Sequence, residues 1–155
     1  MIASDIDGTL LDYDHIPSEI PAINWPLIHR IRERTDRIAL VTNQGGLPFG
    51  VMSSTRKDGR RYPAPEDFGQ RLGYLLDALR QEEIAVVSIH VCVYHPKAKE
   101  TAILTAQEEV EEILAEWPSF VHCGAEWRKP NPTMLLDAGA TCYYGDSDED
   151  EQAAL

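Results

Sequence analysis

Cysteine is scarce in this sequence, and its three copies form no recognisable framework. Cys92, Cys123 and Cys142 are an odd number of thiols scattered over the second half of the chain. A small secreted domain held together by disulfides carries an even set at close spacings, so the pattern argues against that class. No stretch ahead of Asp5 has the length of a signal peptide, and we therefore expect a protein of the reducing cytoplasm.

Basic residues and long apolar runs are also in short supply. The 155 residues hold 14 Lys and Arg against 26 Asp and Glu, for a formal net charge of −12. Coating a nucleic acid needs a surplus of cations, so that function is disfavoured. No apolar run approaches the roughly 20 residues that cross a bilayer. We expect one soluble domain over 1–155 that has no membrane contact and captures any anionic substrate with a few local cations.

What the sequence does contain is an alternation of short apolar runs and amphipathic stretches. The runs rich in β-branched or aromatic residues are predicted strands at 1–6, 37–42, 85–94 and 140–145. Helical spacing of apolar residues predicts helices at 25–34, 65–83 and 105–117. Their predicted buried stripes are Leu27, Ile28, Ile31, Phe68, Leu72, Leu75, Leu76, Leu79, Val110, Ile113, Leu114 and Trp117. This order is typical of an α/β fold with helices on both faces of a parallel sheet.

Polar residues cluster beside the ends of the predicted strands. The four clusters, in chain order, are Asp5 with Asp7, Thr42 with Asn43, Arg128 with Lys129, and Asp146 with Asp150. The first, second and fourth clusters lie at the end of a predicted strand. The cluster of Arg128 and Lys129 lies in the loop before the last strand. Open parallel sheets bind their ligands at the carboxyl ends of the strands. The sequence therefore predicts a single site at this edge.

Such a set of residues suits the transfer of a phosphoryl group. One carboxylate can attack phosphorus, while a second acid protonates the leaving oxygen and later activates water. Asp7 comes two residues after Asp5, past the end of the predicted strand, and we expect Gly8 to turn the chain and bring Asp7 back over the site beside Asp5. Asp5, Asp7 and Asp146 together concentrate negative charge, which a hard cation such as Mg²⁺ would neutralise. Lys129 would face the transferred oxygens.

A basic segment stands out inside the least regular part of this acidic chain. The loop at about 45–64 contains "RKDGRRY", in which Arg56, Lys57, Arg60 and Arg61 surround one Asp. One interpretation is a solvated loop, because charge runs are usually solvated. The other is substrate capture, in which Arg60 and Arg61 offer guanidinium groups to a phosphate or a nucleic-acid backbone.

Four segments resemble the motifs of the haloacid dehalogenase superfamily of phosphohydrolases. "DIDGTL" from Asp5 is similar to the first motif, and "VTNQGG", "RKPNPTML" and "YYGDSDEDEQAA" are similar to the second, third and fourth, in that order. The resemblance extends from Asp5 to Ala154. It implies a Rossmann-like three-layer α/β/α sheet with a minimal cap or none, and Mg²⁺-dependent hydrolysis of phosphomonoesters through an aspartyl-phosphate.

The resemblance also implies a role for each matching residue. Asp5 would be the nucleophile and Asp7 the general acid and base, while Thr42 and Lys129 would hold the phosphate. The implied metal ligands are Asp5, Asp146, Asp150 and the backbone carbonyl of Asp7. Further substrate contacts are expected from Asn43 and Arg128. For Arg128, the alternative is a solvated side chain that does not contact substrate. Residues expected to be merely solvated or structural are Asp148, Glu149, Glu151, His90 and His122.

Within the superfamily, "TNQGGLPFG" and "RKPNPTM" look most like the branch of histidinol-phosphate, heptose-bisphosphate and polynucleotide 3′-phosphatases. Its small-sugar members carry a zinc loop. Here Cys92, His95 and Cys123 are present, but Ala125 and Trp127 stand where the last cysteines would be. Three ligands do not close a structural zinc site. We therefore favour a nucleotide or polynucleotide 3′-phosphate as substrate over a small sugar or amino-alcohol phosphate.

Two interpretations from other classes remain. A phosphorylatable switch of the receiver type also surrounds an Asp with a Thr and a Lys, but receivers place their paired acids side by side. A binding module without catalysis would have no need of the intact acids.

The chain also stops soon after the fourth motif, so we expect a C-terminally short member whose last strand leaves a sheet edge open to a homodimer.

Overall fold

A computed structural model describes residues 1–12 and 19–154. The predicted single domain also takes in 13–18 and 155, which lie outside the described residues. The described strands are β1 (Ile2–Ser4), β2 (Arg37–Asn43), β3 (Ala85–Cys92), β4 (Ser119–His122) and β5 (Cys142–Tyr144). They form one parallel sheet in the order β4-β3-β2-β1-β5. The predicted α/β class is confirmed.

Six α-helices accompany these strands in the described part of the chain. They are α1 (Trp25–Arg34), α2 (Leu47–Val51), α3 (Pro65–Gln81), α4 (Glu100–Ile113), α5 (Thr133–Asp137) and α6 (Asp148–Ala154), with a 3₁₀ turn at Ala125–Trp127. No described helix has both the length and the apolar character needed to cross a membrane.

Helices cover both faces of the sheet. Side chains alternate along a strand, so Leu40 and Val41 of β2 face opposite ways. Leu40 belongs to the larger apolar cluster, to which α1, α3 and α4 contribute their buried residues. Val41 belongs to the smaller one, which includes Met134 of α5 and Ala153 of α6. The result is a Rossmann-like arrangement with the sheet between two helical layers.

The predicted helical stripes are confirmed for α1 and, with Leu76 only partly buried, for α3. α1 begins after Asn24, whose side chain accepts a hydrogen bond from the Leu27 backbone N–H at 3.2 Å. The prediction was wrong for Ile113 and Trp117, each of which is 39% exposed. α4 begins five residues earlier than expected and ends at Ile113, so Trp117 lies beyond the helix.

The strand β4 was not predicted from the sequence. Its four residues include Phe120, which is about half exposed, and they show no apolar run. The strand exists because it pairs with β3, where His90 lies opposite Phe120 and Cys92 opposite His122. At the other end of the sheet, β5 pairs with β1 and forms the edge on which the predicted homodimer depends.

Candidate active site

The candidate site lies where the strand order reverses. β2, β3 and β4 continue the sheet on one side of β1, and β5 lies on the other side. Ligands of open α/β sheets bind outside the carboxyl ends of the strands at such a point. Asp5 directly follows β1, and its backbone N–H donates to the carbonyl of Tyr144 in β5 at 2.8 Å. A cavity of about 750 Å³ opens here.

Three carboxylates converge at one end of this cavity. Oxygen atoms of Asp5, Asp146 and Asp150 all lie within 4.8 Å of one another. Asp5 and Asp150 are buried, whereas Asp146 is exposed. The ammonium group of Lys129 contacts Asp5 Oδ1 at 3.1 Å and also pairs with Asp150 Oδ1. One positive charge therefore faces three negative ones.

Asp150 is held by a dense set of hydrogen bonds. Its Oδ2 accepts from the backbone N–H groups of Asp146 and Ser147, each at 3.3 Å, and from the Ser147 hydroxyl at 2.8 Å. Its Oδ1 accepts from the Tyr143 hydroxyl at 2.6 Å. Burial by itself would raise the pKa of Asp150, but the bonds from Lys129 and Tyr143 outweigh it and hold that pKa at about 2.

The pKa of Asp5 is shifted in the opposite direction from that of Asp150. Burial raises the pKa of its carboxyl to about 7, even though Lys129 acts to lower it, and Asp150 raises it further. Burial also raises the pKa of the neighbouring Tyr143 hydroxyl, with Asp5 and Asp150 adding to the effect. The site therefore holds more negative charge than Lys129 offsets. Clustered carboxylate oxygens with this imbalance fit a hard divalent cation such as Mg²⁺.

Asp7 reaches the same cavity by the turn that Gly8 was expected to make. Gly8 has a φ of 77°, a conformation that favours glycine, and its N–H donates to the carbonyl of Leu11 at 2.8 Å. The Asp7 carboxylate accepts from the Gln44 amide at 2.7 Å and from Arg71 at 3.0 Å. Its oxygens are not part of the carboxylate group formed by the other three acids among the described residues. The metal ligand predicted from Asp7 is its backbone carbonyl, and that role stays a prediction.

The last two residues of β2, Thr42 and Asn43, support the site. Thr42 is buried, and its hydroxyl donates to the carbonyl of Asn43 at 3.4 Å and accepts from Gln44 at 3.0 Å. Thr42 is not among the described residues that line the cavity, whereas Asn43 is. The Asn43 amide bonds to both the N–H and the carbonyl of Lys129, at 3.0 and 3.2 Å. Asn43 thus fixes the backbone that carries Lys129.

The loop at 45–64 forms one wall of the cavity. Arg56 and Arg61 of this loop line the cavity. Arg128 also lines it, and its guanidinium donates to the carbonyl of Tyr94 at 2.9 Å. Arg60 is not among the described residues that line the cavity and lies 3.9 Å from Asp58. Four basic side chains were expected at the site. Arg61, Arg128 and Lys129 line the cavity, whereas Arg60 does not.

Aromatic rings line the same wall. Phe49 of α2 lies 4.9 Å from the ring of Tyr62 and 5.1 Å from that of His95, measured between centroids. All three rings line the cavity with the arginines. Base–aromatic stacking and cation contacts are the means by which proteins hold nucleotides without reading their sequence. The wall therefore combines apolar ring faces with positive charge.

Sequence reasoning missed several residues of the site. Arg71 is buried in α3 and bonds to Asp7, and Gln44, Tyr143 and Ser147 complete the hydrogen bonds around the acids. A signal existed for Arg71, because it follows Phe68 by three residues and precedes Leu75 by four on the apolar stripe. The other three had no such signal in the sequence.

Comparison with known proteins identified no relative of this chain. No family model matches the chain, and no curated protein or solved structure matches it significantly. The residues and their geometry are therefore the basis for any statement about function.

Proposed function

We propose that this chain is a Mg²⁺-dependent phosphomonoesterase of the haloacid dehalogenase type, which acts through an aspartyl-phosphate on Asp5. The observation that carries the proposal is the asymmetry of the two acids at the cavity. Asp5 belongs to the carboxylate cluster that it forms with Asp146 and Asp150, and it pairs with Lys129. Asp7 is held separately by Arg71 and Gln44. A nucleophile and a separate proton carrier are the two acids this reaction needs.

The metal would be held by the side chains of Asp5, Asp146 and Asp150 and by the backbone carbonyl of Asp7. Their oxygen donors fit Mg²⁺, and the Asp residues alone would repel an anionic substrate. When bound, Mg²⁺ supplies the positive charge that lets a phosphate approach the carboxylates. Lys129 adds a second positive charge beside the attacking oxygen.

The chain's own residues then carry out two displacements. In the first, a carboxylate oxygen of Asp5 attacks phosphorus, the bond from phosphorus to the alcohol oxygen breaks, and Asp7 gives its proton to that oxygen. In the second, Asp7 takes a proton from water while the water oxygen attacks phosphorus and the bond from phosphorus to the Asp5 oxygen breaks. Inorganic phosphate leaves, and both acids return to their first state.

The preferred substrate in this proposal is a nucleotide or polynucleotide 3′-phosphate. The rings of Phe49 and Tyr62 can stack on a base, and Arg56 and Arg128 can contact further phosphates. A small sugar phosphate would leave this wall of the cavity without a partner. With a formal charge of −12 over the whole chain, the arginines would also direct an anionic substrate to this place.

The first experiment measures phosphate release from sugar phosphates, nucleotides and 3′-phosphorylated oligonucleotides, with and without Mg²⁺. We expect Mg²⁺-dependent release that Asp5→Asn lowers by at least about 100-fold, since the nucleophile is removed. The exposed Asp77, which pairs with Arg80 at 2.8 Å, supplies the control Asp77→Asn with unchanged activity. No release from any substrate, or equal release by Asp5→Asn, would contradict the proposal. A stable phospho-protein without turnover would favour the phospho-acceptor interpretation instead.

A second experiment tests the substrate class with two matched pairs. Tyr62→Leu should raise KM for nucleotides but not for a sugar phosphate, while Tyr74→Leu on the exposed face of α3 should change neither. Arg56→Gln should raise KM and weaken its salt dependence, while Arg60→Gln should not. Equal effects within each pair, or a higher kcat/KM for sugar phosphates, would reject the nucleotide preference.

A further inference from the structure

A second group of potential metal ligands lies on the sheet face that α5 covers. It consists of His90 on β3, His122 on β4 and Asp137 at the end of α5, and it shares no residue with the carboxylate cluster. One nitrogen of each imidazole and one carboxylate oxygen all lie within 4.8 Å of one another.

Strand pairing and helix packing bring these three side chains together. His90 lies opposite Phe120 and Cys92 opposite His122, so alternation along parallel strands puts both histidines on one face. Met134 and Leu135 of α5 pack on that same face in the smaller apolar cluster with Cys92. This packing brings Asp137, three residues after Met134, over the two imidazoles.

Two nitrogen atoms in this group lack the partner that a buried polar atom normally has. His90 Nδ1 and His122 Nε2 are buried, and neither has a hydrogen-bond partner among the described residues. The His90 side chain is only 2% exposed. Leaving a buried polar atom unpaired costs about 1–3 kcal/mol, so such atoms in a native structure call for an explanation.

Other contacts of the two histidines hold their rings in place. His90 Nε2 lies 3.1 Å from the Ser88 hydroxyl, and a proton donated there leaves the Nδ1 lone pair free. The His122 ring stacks on Trp127 at 3.7 Å with an angle of 3° between the planes. Burial lowers the pKa of both imidazoles, which favours the neutral form that binds metals.

The spacing also agrees with coordination. Ligand bonds of about 2.0–2.1 Å in a tetrahedral site put neighbouring ligand atoms about 3.4 Å apart. His90 Nδ1 lies 3.5 Å from Asp137 Oδ2, which is close to that separation. The set has two imidazoles and one carboxylate, which is a three-ligand set with one position left for water.

We propose that His90, His122 and Asp137 bind one divalent transition-metal ion of the zinc class. Imidazole nitrogens favour such ions, whereas Mg²⁺ favours oxygen donors, so the two sites select different metals. The bound ion joins β3, β4 and α5 and satisfies both unpaired nitrogens. This proposal does not rest on the proposed phosphatase activity.

The test titrates Zn²⁺ into metal-stripped protein in competition with a chromophoric chelator. Saturating Mg²⁺ is present throughout to fill the carboxylate cluster. The wild type should bind one equivalent, and Asp137→Asn and His122→Gln should each bind at least about tenfold more weakly. His29→Gln and Asp77→Asn are matched controls, because both side chains are exposed, pair with other residues and are not part of the ligand group. Both controls should bind like the wild type.

Two further readouts keep the result unambiguous. The Asp137 side chain is 42% exposed, so Asp137→Asn should keep its circular dichroism and melting curve without metal. Zn²⁺ should also shift the imidazole nitrogen resonances of His90 and His122 and leave those of His29 unchanged. No Zn²⁺ binding by the wild type, full affinity in both ligand variants, or unshifted His90 and His122 resonances would overturn the proposal.

Discussion

At the scale of single residues, the buried charge of Asp5 has a consequence for stability. Its carboxyl has a pKa of about 7 in the folded chain, against 3.8 as the ordinary value. Between these two values the folded state holds more protons than the unfolded state, so the free energy of unfolding falls as the pH rises. The metal-free protein is therefore destabilised by the group that the proposed reaction uses as its nucleophile.

We expect Asp5→Asn to raise the free energy of unfolding of the metal-free protein by about 1 kcal/mol or more near pH 8. Near pH 3, below both pKa values, the folded and the unfolded wild type both hold the proton, and the variant should change little. Urea denaturation in the presence of a chelator measures both values. Asp77→Asn should leave stability unchanged to within about 0.5 kcal/mol at either pH. A variant no more stable than the wild type near pH 8 would show that burial of Asp5 carries no such cost.

Arg71 is the second residue whose removal has a definite cost. Its guanidinium is buried in α3 and contacts Asp7 at 3.0 Å and Asp12 at 3.4 Å. We expect Arg71→Met to lower the free energy of unfolding by about 2 kcal/mol, less than for a fully buried pair because Asp7 is partly exposed. Chemical denaturation measures the loss.

The matched control for Arg71 lies on the same helix. Arg80 pairs with Asp77 at 2.8 Å, and both side chains are largely exposed. Surface pairs of this kind contribute little, so Arg80→Met should change stability by less than about 0.5 kcal/mol. Equal losses from both variants would mean that the Arg71 pair acts as an ordinary surface contact.

At the scale of elements, α3 offers a direct comparison of two glycines in one helix. A Cβ at position 73 would meet no atom within 4 Å, whereas a Cβ at position 69 would meet Ile113 Cγ2 of α4 at 2.9 Å. Gly69 therefore permits the close approach of α3 and α4, and Gly73 only adds flexibility to the helix.

We expect Gly73→Ala to stabilise the chain by about 0.5–1 kcal/mol, the difference in helix propensity between the two residues. Gly69→Ala should stabilise less or destabilise, because Ile113 has to move. Thermal and urea unfolding of the two variants measure the difference. The same gain from both would show that α3 and α4 are not in close contact at Gly69.

At the scale of the whole molecule, the open edge of the sheet bears on association. β5 pairs with β1 on one side and forms the end of the described sheet with three residues, Cys142–Tyr144. Unpaired strand edges invite pairing with another chain, although short edge strands limit it. The expected mass in solution is that of a homodimer formed along this edge. Light scattering that finds monomer alone over a wide concentration range would exclude that association.

The parts of the fold that local sequence patterns specify were predictable. The helices α1 and α3 follow from apolar spacing of 3.6 residues, and the strands β2 and β3 follow from short runs rich in β-branched residues. The structure has all four near the predicted bounds. β4 was missed because its four residues carry no such spacing, and they form a strand through pairing with β3. Trp117 was wrongly predicted to be buried because α4 ends before it, and Ile113, the last residue of that helix, is 39% exposed.

The sequence by itself determined which residues stand at the ends of the predicted strands, because a short run rich in β-branched or aromatic residues marks each of these strands and parallel strands point their carboxyl ends to one edge. That rule was enough to bring Asp5, Asp146 and Asp150 together. Only the tertiary structure decided that Arg71 meets Asp7 and that His90, His122 and Asp137 share one point. The reason is physical: such meetings depend on strand order, register and the packing of distant helices, and burial among those partners then sets the charge of each group.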